Sequence, residues 1–331
     1  MKRNRYISLL AAALLAAVSF HAHAQGRLPT VEQRMETLTP PDSDIKPDRT
    51  IFLYPDGQDG NGRRYRRLAR RDRGYAAMRG PGESNGLTGP ELPQRWGMAG
   101  NISDSARIDL YFPEKPNGQM VLVTPGGGYR NISCWNEGTY VAQWMLSRGI
   151  TLGVIKYRLP NGHCEVPLTD VHNAFRYCRA HSREWGVGQI GIMGFSAGGH
   201  LAASATTMYT DSITRPDFSV LVYPVISTED GVTEPGTKRR LVGDDRELGL
   251  KYSIDRHVAA DNPPVFIALS SNDNVVPAEN SIRLYGDHIT PEPDVFAHGL
   301  TGTGKHDIIP VGEINIWRAL YEYCNQKNEW G

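Results

Sequence analysis

One serine in the chain has the surroundings of a catalytic nucleophile. Ser196 is the central residue of Gly-Phe-Ser-Ala-Gly at positions 194–198, a G-x-S-x-G motif. The motif follows a strand-like run, Gln189 to Met193, and precedes a helical pattern that opens at Gly199. Glycines suit such a turn, because it is strained and brings backbones close together. We therefore predict that Ser196 attacks a carbonyl carbon; a helix that merely begins with Ser and Gly is the structural alternative.

A second motif could stabilise the negative charge that such an attack creates. Pro-Gly-Gly-Gly-Tyr at positions 125–129 follows the predicted strand Met120 to Thr124. Acyl transfer generates an oxyanion, and the predicted donors are the amide of Gly127 or Gly128 and the amide of Ala197. A phosphate-binding loop is the competing interpretation, but no G-K-[ST] follows the glycines. A plain turn is the structural alternative.

A carboxylate and a histidine are expected later in the chain. Asp273 lies in a polar turn after the predicted strand Val265 to Ser270, and groups that face a ligand sit at the carboxyl ends of parallel strands. We predict that Asp273 orients the catalytic histidine. Asp294 is the reserve candidate, and turn formation is the alternative role of Asp273.

Three histidines follow Asp273, and one of them is predicted to be the general base. His288 falls within a helical pattern and His298 ends the last predicted strand, so both are more simply structural. His306 follows Gly-Thr-Gly-Lys, a flexible loop between the last strand and the last helix. Its proton affinity near neutral pH suits taking the Ser196 proton and returning it to a leaving alcohol.

Strand and helix patterns alternate along the part of the chain that carries these residues. The predicted strands are Thr50 to Tyr54, Arg107 to Phe112, Met120 to Thr124, Thr151 to Tyr157, Gln189 to Met193, Ser219 to Val225, Val265 to Ser270 and Asp294 to Ala297. The predicted helices are Thr139 to Arg148, Pro167 to Trp185, Gly199 to Tyr209, Ala278 to Ile289 and Asn315 to Asn325. This alternation predicts an α/β fold, a three-layer sandwich with a mostly parallel central sheet.

The N-terminal region is predicted to be an export signal. Basic residues at positions 2, 3 and 5 precede the apolar run Ile7 to Phe20, and Ala-His-Ala at positions 22–24 suits a cleavage site. Residues 1–24 are therefore expected to be a signal peptide and the protein to be exported, periplasmic or secreted. An uncleaved anchor is the alternative. No second apolar stretch approaches the ~20 residues that span a bilayer, so the mature protein is expected to be soluble.

The remaining chain is predicted to be one catalytic domain. Residues 25–47 have the composition of an extended leader, and residues 48–331 form the predicted domain. Within it, residues 56–93 are rich in Gly and Arg, including the cluster Arg63 to Arg73, and are predicted to be an insertion or loop. A solvated face is the simple interpretation of the arginines, and binding of an anionic surface or polysaccharide is the sharper one.

Charge and cysteine usage exclude several classes of partner. Lys+Arg and Asp+Glu number 36 each, so no electrostatic surface for nucleic acid is expected. Cys134, Cys164, Cys178 and Cys324 have no C-x-x-C spacing, so no metal site is predicted, and the chemistry needs no cofactor. In an oxidising compartment the four thiols have three possible full pairings, which the sequence leaves open.

Five segments together resemble one branch of a known superfamily. They are Val123 to Tyr129, Lys156 to His163, Ile192 to Ala202, Tyr223 to Ile226 and Asp273 to Pro277. The chain from about Ile51 onward is similar to the bacterial acetyl xylan esterase and feruloyl esterase-like branch of the α/β-hydrolases. That branch usually has its histidine in Gly-Gly-His-Gly, whereas this chain has Gly-Lys-His-Asp at positions 304–307.

The resemblance implies a catalytic triad and a class of substrate. Ser196, Asp273 and His306 would form the triad, and the reaction would remove acetyl or similar small acyl groups from sugar hydroxyls, as in xylan. A broad carboxylesterase, a feruloyl esterase or a peptidase of the same fold are alternatives within enzymes, and an inactive carbohydrate-binding protein is the alternative outside them.

Three residues at the expected catalytic edge are predicted to line the acyl pocket. They are Tyr129, Trp135 and His163, and local packing is the alternative for each.

Overall fold

The structure is a computed structural model that describes residues 45–54, 92–93, 98–100, 102, 106–160, 163–271, 273–287 and 295–300. Several predictions fall outside these residues: the signal peptide, most of the leader and of the Gly/Arg-rich stretch, and the helix Asn315 to Asn325. The division into signal, leader and catalytic domain therefore stays a prediction.

The described part of the chain is built on an eight-stranded sheet. The strands of the molecule in chain order are β1 (Arg49–Phe52), β2 (Leu92–Pro93), β3 (Ala99–Gly100), β4 (Arg107–Tyr111), β5 (Gln119–Thr124), β6 (Thr151–Lys156), β7 (Gln189–Phe195), β8 (Ser219–Val222), β9 (Val265–Ser270) and β10 (Val295–Leu300). The sheet order is β1-β4-β6-β5-β7-β8-β9-β10, and β2 pairs with β3 separately. β4 is antiparallel to β1 and to β6, whereas every pairing from β6 to β10 is parallel.

Helices connect the parallel strands. They are α1 (Tyr140–Ser147), α2 (Glu165–His181), α3 (Ser196–Thr207), α4 (Pro235–Leu241), α5 (Arg246–Lys251) and α6 (Glu279–Asp287). A π-helical turn, Trp135–Thr139, runs directly into α1, and a 3₁₀ turn spans Ile254–Arg256.

The sheet separates two apolar clusters, which gives the molecule three layers. In β5, Met120 and Leu122 belong to one buried cluster, and Val121 and Val123 belong to the other. This division follows from strand geometry, because successive side chains point to opposite faces of a sheet. Helices α2 and α3 contribute to the first cluster and α1 contributes to the second. The predicted α/β sandwich with a mostly parallel sheet is confirmed.

The ends of the predicted elements needed correction. Helix α3 begins at Ser196, three residues before the predicted start at Gly199. The pattern from Pro167 to Trp185 is helical only to His181, and residues 182–186 form turns. The sequence did not predict α4, α5 or the π-helical turn. These are short elements, and a pattern of one or two turns has too few periods to distinguish a helix from a loop.

Other features of the described residues bear on earlier predictions. Cys164 and Cys178 are buried free thiols, Cys134 is buried as well, and Cys324 lies outside the described residues. No helix in the described ranges combines the length and apolar character needed to cross a bilayer. Within the same ranges, no group of three or more His, Cys, Asp or Glu side chains could hold a metal ion.

Candidate active site

Ser196 lies at the junction of β7 and α3 with a backbone conformation that non-glycine residues rarely adopt. Phe195, the last residue of β7, is extended with φ −122° and ψ 133°, and Ser196 then has φ +54°. A non-glycine residue in the left-handed region costs about 1–3 kcal/mol, which the surrounding structure must supply. Such a turn, the nucleophile elbow, presents the serine hydroxyl at the carboxyl edge of the sheet.

The glycines on either side of this serine are required by space. A Cβ on Gly194 would collide with the carbonyl oxygen of Gly198 and lie 2.6 Å from the Cβ of Ala202. A Cβ on Gly198 would collide with the carbonyl oxygens of Thr124 and Pro125. The G-x-S-x-G pattern thus records two close approaches, one within the turn and one between the turn and the end of β5.

The first half of the glycine-rich loop is held by three hydrogen bonds. The carbonyl of Pro125 accepts one from the Tyr157 hydroxyl at 2.7 Å. The amide of Gly126 donates to Oε2 of Glu137 at 2.7 Å, and its carbonyl accepts from the amide of Ser133 at 2.9 Å. Burial first, and then the charge of Glu137, raise the pKa of Tyr157 well above its usual range, so its phenol stays protonated and can donate.

In the second half of the loop, two amides have no acceptor within the described part of the chain. The carbonyl of Gly127 accepts from the amides of residues 130 and 131, and the carbonyl of Gly128 accepts from Nη1 of Arg240 at 3.0 Å. Between residues 125 and 128, only the amides of Gly127 and Gly128 have no acceptor among the described residues. Gly127, Gly128 and Tyr129 all have positive φ, of 129°, 62° and 55°. This run of left-handed residues turns the loop sharply.

The amide of Ala197 is the third predicted donor. Ala197 is the second residue of α3, and the first N–H groups of a helix have no partner within the helix. The same helix end carries a partial positive charge. Its glycine neighbour, Gly198, packs against the carbonyls at the end of β5, so the helix start and the glycine-rich loop are adjacent.

Asp273 lies two strands away from Ser196 at the same edge of the sheet. β7, β8 and β9 are parallel neighbours, Ser196 follows β7, and Asp273 is three residues past the end of β9. The side chain is buried, and Oδ1 accepts hydrogen bonds from the amides of Val275 and Val276 at 2.8 and 2.9 Å. These bonds fix one carboxylate oxygen within its own turn.

The predicted general base lies outside the described residues. His306 is not among them, and neither are His288 and the reserve carboxylate Asp294. His298 falls in β10, opposite Ala268 of β9. The meeting of Ser196, Asp273 and His306 therefore stays a prediction.

A histidine close to Ser196 in sequence is buried, and both of its ring nitrogens are hydrogen-bonded within the protein. His200 is one turn along α3 and buried, with Nδ1 2.9 Å from the Tyr129 hydroxyl and Nε2 2.8 Å from the carbonyl of Tyr252. Because a carbonyl can only accept, Nε2 carries the proton and Nδ1 accepts from Tyr129. Burial lowers the pKa of His200 to about 4. A neutral imidazole with both nitrogens occupied cannot serve as the base for Ser196.

The three predicted pocket residues have different surroundings. Tyr129 is 2% exposed and donates its hydroxyl to His200, which favours the packing alternative that the sequence left open. Trp135 is half-buried at the start of the π-helical turn, with its ring 5.4 Å from that of Tyr140. His163 precedes α2, with Nδ1 3.9 Å from a carboxylate oxygen of the exposed Glu165. Their roles at a pocket stay predictions.

Sequence reasoning missed the side chains that hold the loop. Tyr157, Glu137 and Arg240 contact it, and they lie 32, 11 and 112 positions from the residues they bind. Tyr157 does lie within a segment that carried the family resemblance, Lys156 to His163, and Glu137 follows another, Val123 to Tyr129. No motif within the chain near Arg240 indicates its contact with Gly128.

Comparisons with known proteins agree with this architecture. Residues 108–221 match the BD-FAE family model. An acetylxylan esterase of Xylanibacter ruminicola is 36% identical over 195 residues, which are 56% of this chain and 40% of that protein. Endo-1,4-beta-xylanase B of Butyrivibrio fibrisolvens is 32% identical over 207 residues, 57% of this chain and 32% of that protein. The chain thus spans less than half the length of these two relatives.

A solved structure extends the likeness. The acetyl ester-xyloside bifunctional hydrolase from Caldicellulosiruptor lactoaceticus superposes with a TM-score of 0.59 at 29% identity, covering 68% of this chain and 89% of that chain. A lipase/esterase from Lactobacillus plantarum, 20% identical, superposes with a TM-score of 0.56 over 72% of this chain and 97% of that chain, and at that identity shows the fold alone. The resemblance inferred from the motifs is confirmed: residues 108–221 match the BD-FAE family, and the described chain has the α/β-hydrolase fold.

Proposed function

We propose that this protein is a serine hydrolase of carboxylic esters with Ser196 as its nucleophile. The observation that carries the proposal is the left-handed serine at the β7–α3 junction, beside a loop whose two amides have no partner among the described residues. Backbone strain at a polar residue is found mostly at functional sites. Preorganised amides beside a nucleophile are the arrangement that acyl transfer requires.

The reaction has two halves. In the first, His306 takes the proton of the Ser196 hydroxyl as its oxygen attacks the ester carbonyl, and the alcohol leaves with that proton. The amides of Ala197 and of Gly127 or Gly128 donate to the oxyanion of each tetrahedral intermediate. In the second half, water attacks the acyl-enzyme by the same route and releases the acid. Asp273 accepts a hydrogen bond from His306 and so orients the imidazole.

The proposed substrate is an acetylated plant polysaccharide such as xylan. Support comes from the relatives, one an acetylxylan esterase, one an endo-1,4-beta-xylanase and one an acetyl ester-xyloside hydrolase. Trp135 and His163 are proposed to lie around the acyl group, whereas the buried Tyr129 is proposed to support the loop through His200. No cofactor and no nucleic acid takes part in the proposed reaction.

Export of the protein is part of the proposal. A polysaccharide too large to enter the cell must be met in the periplasm or outside it. The signal-like residues 1–24, the leader 25–47 and a catalytic domain over residues 48–331 suit that location. Amino-terminal sequencing of the mature protein tests the cleavage site, which is expected after Ala24.

Experiments can distinguish the proposed function from two sets of alternatives. Within enzymes, a broad carboxylesterase would hydrolyse simple aryl acetates and release little acetate from xylan, and a feruloyl esterase would favour feruloylated arabinoxylan. Outside enzymes, an inactive carbohydrate-binding protein with this fold would bind xylan without reacting.

The test combines product release with covalent labelling. Acetate release from acetylated xylan, ferulate release from feruloylated arabinoxylan and hydrolysis of 4-nitrophenyl acetate are measured side by side. A fluorophosphonate probe, which reacts only with an activated serine, is applied to the wild type and to Ser196→Ala. The proposal expects acetate release and labelling in the wild type and neither in the variant. An unlabelled wild type, or equal labelling of both proteins, would refute it.

A further inference from the structure

Glu137 is a half-buried carboxylate that the proposed mechanism does not use. It lies in the π-helical turn Trp135–Thr139, directly before α1. Its two oxygens have different partners. Oε2 accepts from the Gly126 amide at 2.7 Å, and Oε1 accepts from the Tyr223 hydroxyl at 3.0 Å. Hydrogen bonds to an ionised acceptor are about twice as strong as those between neutral groups. We call these two hydrogen bonds, which join Gly126 to Tyr223 through the Glu137 carboxylate, the tie.

The two partners of Glu137 flank the strand that carries the nucleophile. Gly126 is two residues past the end of β5, and Tyr223 directly follows β8. In the sheet, β7 lies between β5 and β8, and Ser196 follows β7. The carboxylate therefore ties together the chain segments on both sides of the nucleophile's strand, at the edge where Ser196 lies.

One end of this tie lies beside Ser196, and the other end is two residues from a residue that bonds to it. A Cβ on Gly126 would lie 2.8 Å from Oε2 of Glu137 and 2.9 Å from the Cβ of Ser196, so Gly126 separates these two side chains. At the other end, Tyr223 has φ +37°, and Val225 two residues later donates its amide to the Ser196 carbonyl at 3.0 Å. The two segments that Glu137 joins therefore contact both the glycine-rich loop and the backbone of Ser196.

The tie also decides which amides of the loop remain available. The Gly126 amide is directed to Glu137, whereas the amides of Gly127 and Gly128 have no acceptor among the described residues. If Gly126 were released, its amide could compete for the same oxyanion, and the left-handed residues that follow it could turn. The direction of the neighbouring amides therefore depends on Glu137.

We propose that Glu137 is a positioning residue that holds the oxyanion-binding loop in register with Ser196 by hydrogen-bonding across the end of β7. The proposal rests on the proposed ester hydrolysis. Among the described residues Glu137 bonds to the Gly126 amide and the Tyr223 hydroxyl, neither of which reacts, so its loss lowers the rate of the chemical step and leaves ground-state binding of the ester largely unchanged.

Four variants test this role with 4-nitrophenyl acetate as substrate. Glu137→Ala removes both hydrogen bonds. Glu137→Gln can keep both, because its amide oxygen can accept from Gly126 and its amide nitrogen can donate to the Tyr223 oxygen. Tyr223→Phe removes one end of the tie. Glu184→Gln is the matched control, since Glu184 is an exposed carboxylate paired with Arg49 in the turn after α2.

The expected pattern separates positioning from folding. Glu137→Ala lowers kcat by about a hundredfold with KM changed less than about threefold, the loss typical of a misplaced catalytic group. Glu137→Gln recovers kcat to within about tenfold of the wild type, Tyr223→Phe loses roughly tenfold, and Glu184→Gln retains full activity. Thermal unfolding shows which variants are folded, and if Glu137→Ala does not fold, Tyr223→Phe decides.

Three results would overturn the proposal. They are a kcat of folded Glu137→Ala or Tyr223→Phe within threefold of the wild type, a loss carried by KM, and a Glu137→Gln variant as slow as Glu137→Ala. Failure of the proposed function looks different, because then the wild type itself hydrolyses no ester. In that case the rate of fluorophosphonate labelling replaces kcat, and equal labelling rates for the wild type and Glu137→Ala would again overturn the role of Glu137.

Discussion

Two hydrogen-bonded clusters, each built around a carboxylate, lie beside the same sheet and differ in burial and in backbone strain. The first, the clamp cluster, consists of Tyr54, Arg158, Asp170 and Asn173. Asp170 is fully buried and accepts from the Arg158 guanidinium at 2.6 Å, from the Arg158 amide at 2.8 Å and from the Tyr54 hydroxyl at 2.6 Å. Asn173 donates to the same hydroxyl at 2.9 Å. The cluster joins the segment after β1 to the segment after β6 and to α2.

The second group, the loop cluster, consists of Gly126, Glu137 and Tyr223 beside Ser196. Here the carboxylate is only half-buried, and Tyr223 and Ser196 both have positive φ. None of the four residues of the clamp cluster has a positive φ. Left-handed backbone therefore occurs at the carboxyl edge, around Ser196, and not in the clamp cluster.

This difference implies different consequences of damage. A buried ion pair with all its hydrogen bonds made is costly to break, because the surviving charge has no water to solvate it. A strained turn is held for its geometry, so changing it alters the reaction more than the stability. We expect changes in the clamp cluster to affect unfolding and changes at the loop edge to affect kcat.

The largest expected effect is at the proposed nucleophile. Ser196→Ala should lower kcat toward 4-nitrophenyl acetate by about 10⁴- to 10⁶-fold, because no other group can form the acyl-enzyme. Its free energy of unfolding should stay within about 1 kcal/mol of the wild type. Steady-state kinetics and urea unfolding measure the two quantities. A loss below tenfold would exclude Ser196 as the nucleophile.

The next largest effect is expected in the clamp cluster. Asp170→Asn removes the buried carboxylate that pairs with the 4%-exposed Arg158 side chain and should lower the free energy of unfolding by about 3–5 kcal/mol. The kcat of the protein that remains folded should stay within about fivefold. A loss of kcat greater than about fivefold in the folded Asp170→Asn protein would contradict the contrast between the two clusters.

A paired variant checks the cause of that loss. Replacing both charges, as in Arg158→Met with Asp170→Leu, removes the uncompensated charge and should recover part of the stability lost in Asp170→Asn, because burying apolar groups of similar volume costs less than burying a lone ion. If the double variant is as unstable as the single one, the hydrogen bonds to Tyr54 and the backbone matter more than the charge.

A smaller effect should appear as a dependence of stability on pH. His200 supports the loop edge through Tyr129, and burial lowers its pKa from 6.5 to about 4. As the pH falls below 6.5, His200 becomes protonated in the unfolded chain but stays neutral in the native state until about pH 4. The free energy of unfolding should therefore fall by up to about 3 kcal/mol between these pH values from this group alone.

Urea unfolding at several pH values between 7.5 and 4 measures this dependence. In His200→Gln the slope of the unfolding free energy against pH should be smaller by up to about 1.4 kcal/mol per pH unit in this window. His172→Gln is the useful comparison, since burial, and then the charge of Arg176, lower the pKa of His172 to about 4 at a site outside both clusters. An unchanged slope in His200→Gln would contradict the assignment.

The smallest effect tests the strain itself. Ser196→Gly and Ser196→Ala both lack the nucleophile, but only glycine adopts φ +54° without steric cost. The Gly variant should therefore be more stable than the Ala variant by about 1 kcal/mol in urea unfolding. Equal stability, or a less stable Gly variant, would mean that the turn at Ser196 stores no strain.

What the sequence predicted correctly depends on neighbours along the chain. The turn at Ser196 needs glycines two residues before and after it, and the strand and helix patterns on either side are local as well. Alternation of such patterns permits few chain topologies, so the fold class followed from periodicity. The helix start was missed by three residues because the motif at positions 194–198 was assigned to the turn, whereas its last three residues already belong to the helix.

The contacts that hold the loop could be decided only by the tertiary structure. Glu137 reaches Gly126 through an unpredicted π-helical turn, it reaches Tyr223 across 86 positions, and Arg240 reaches Gly128 across 112. Local propensity carries no information about which distant residues meet, because that depends on strand order and on how each loop closes over the sheet edge. The sequence alone determined the turn that carries Ser196, the predicted nucleophile, and the sheet brought the loop, Glu137 and Tyr223 around it.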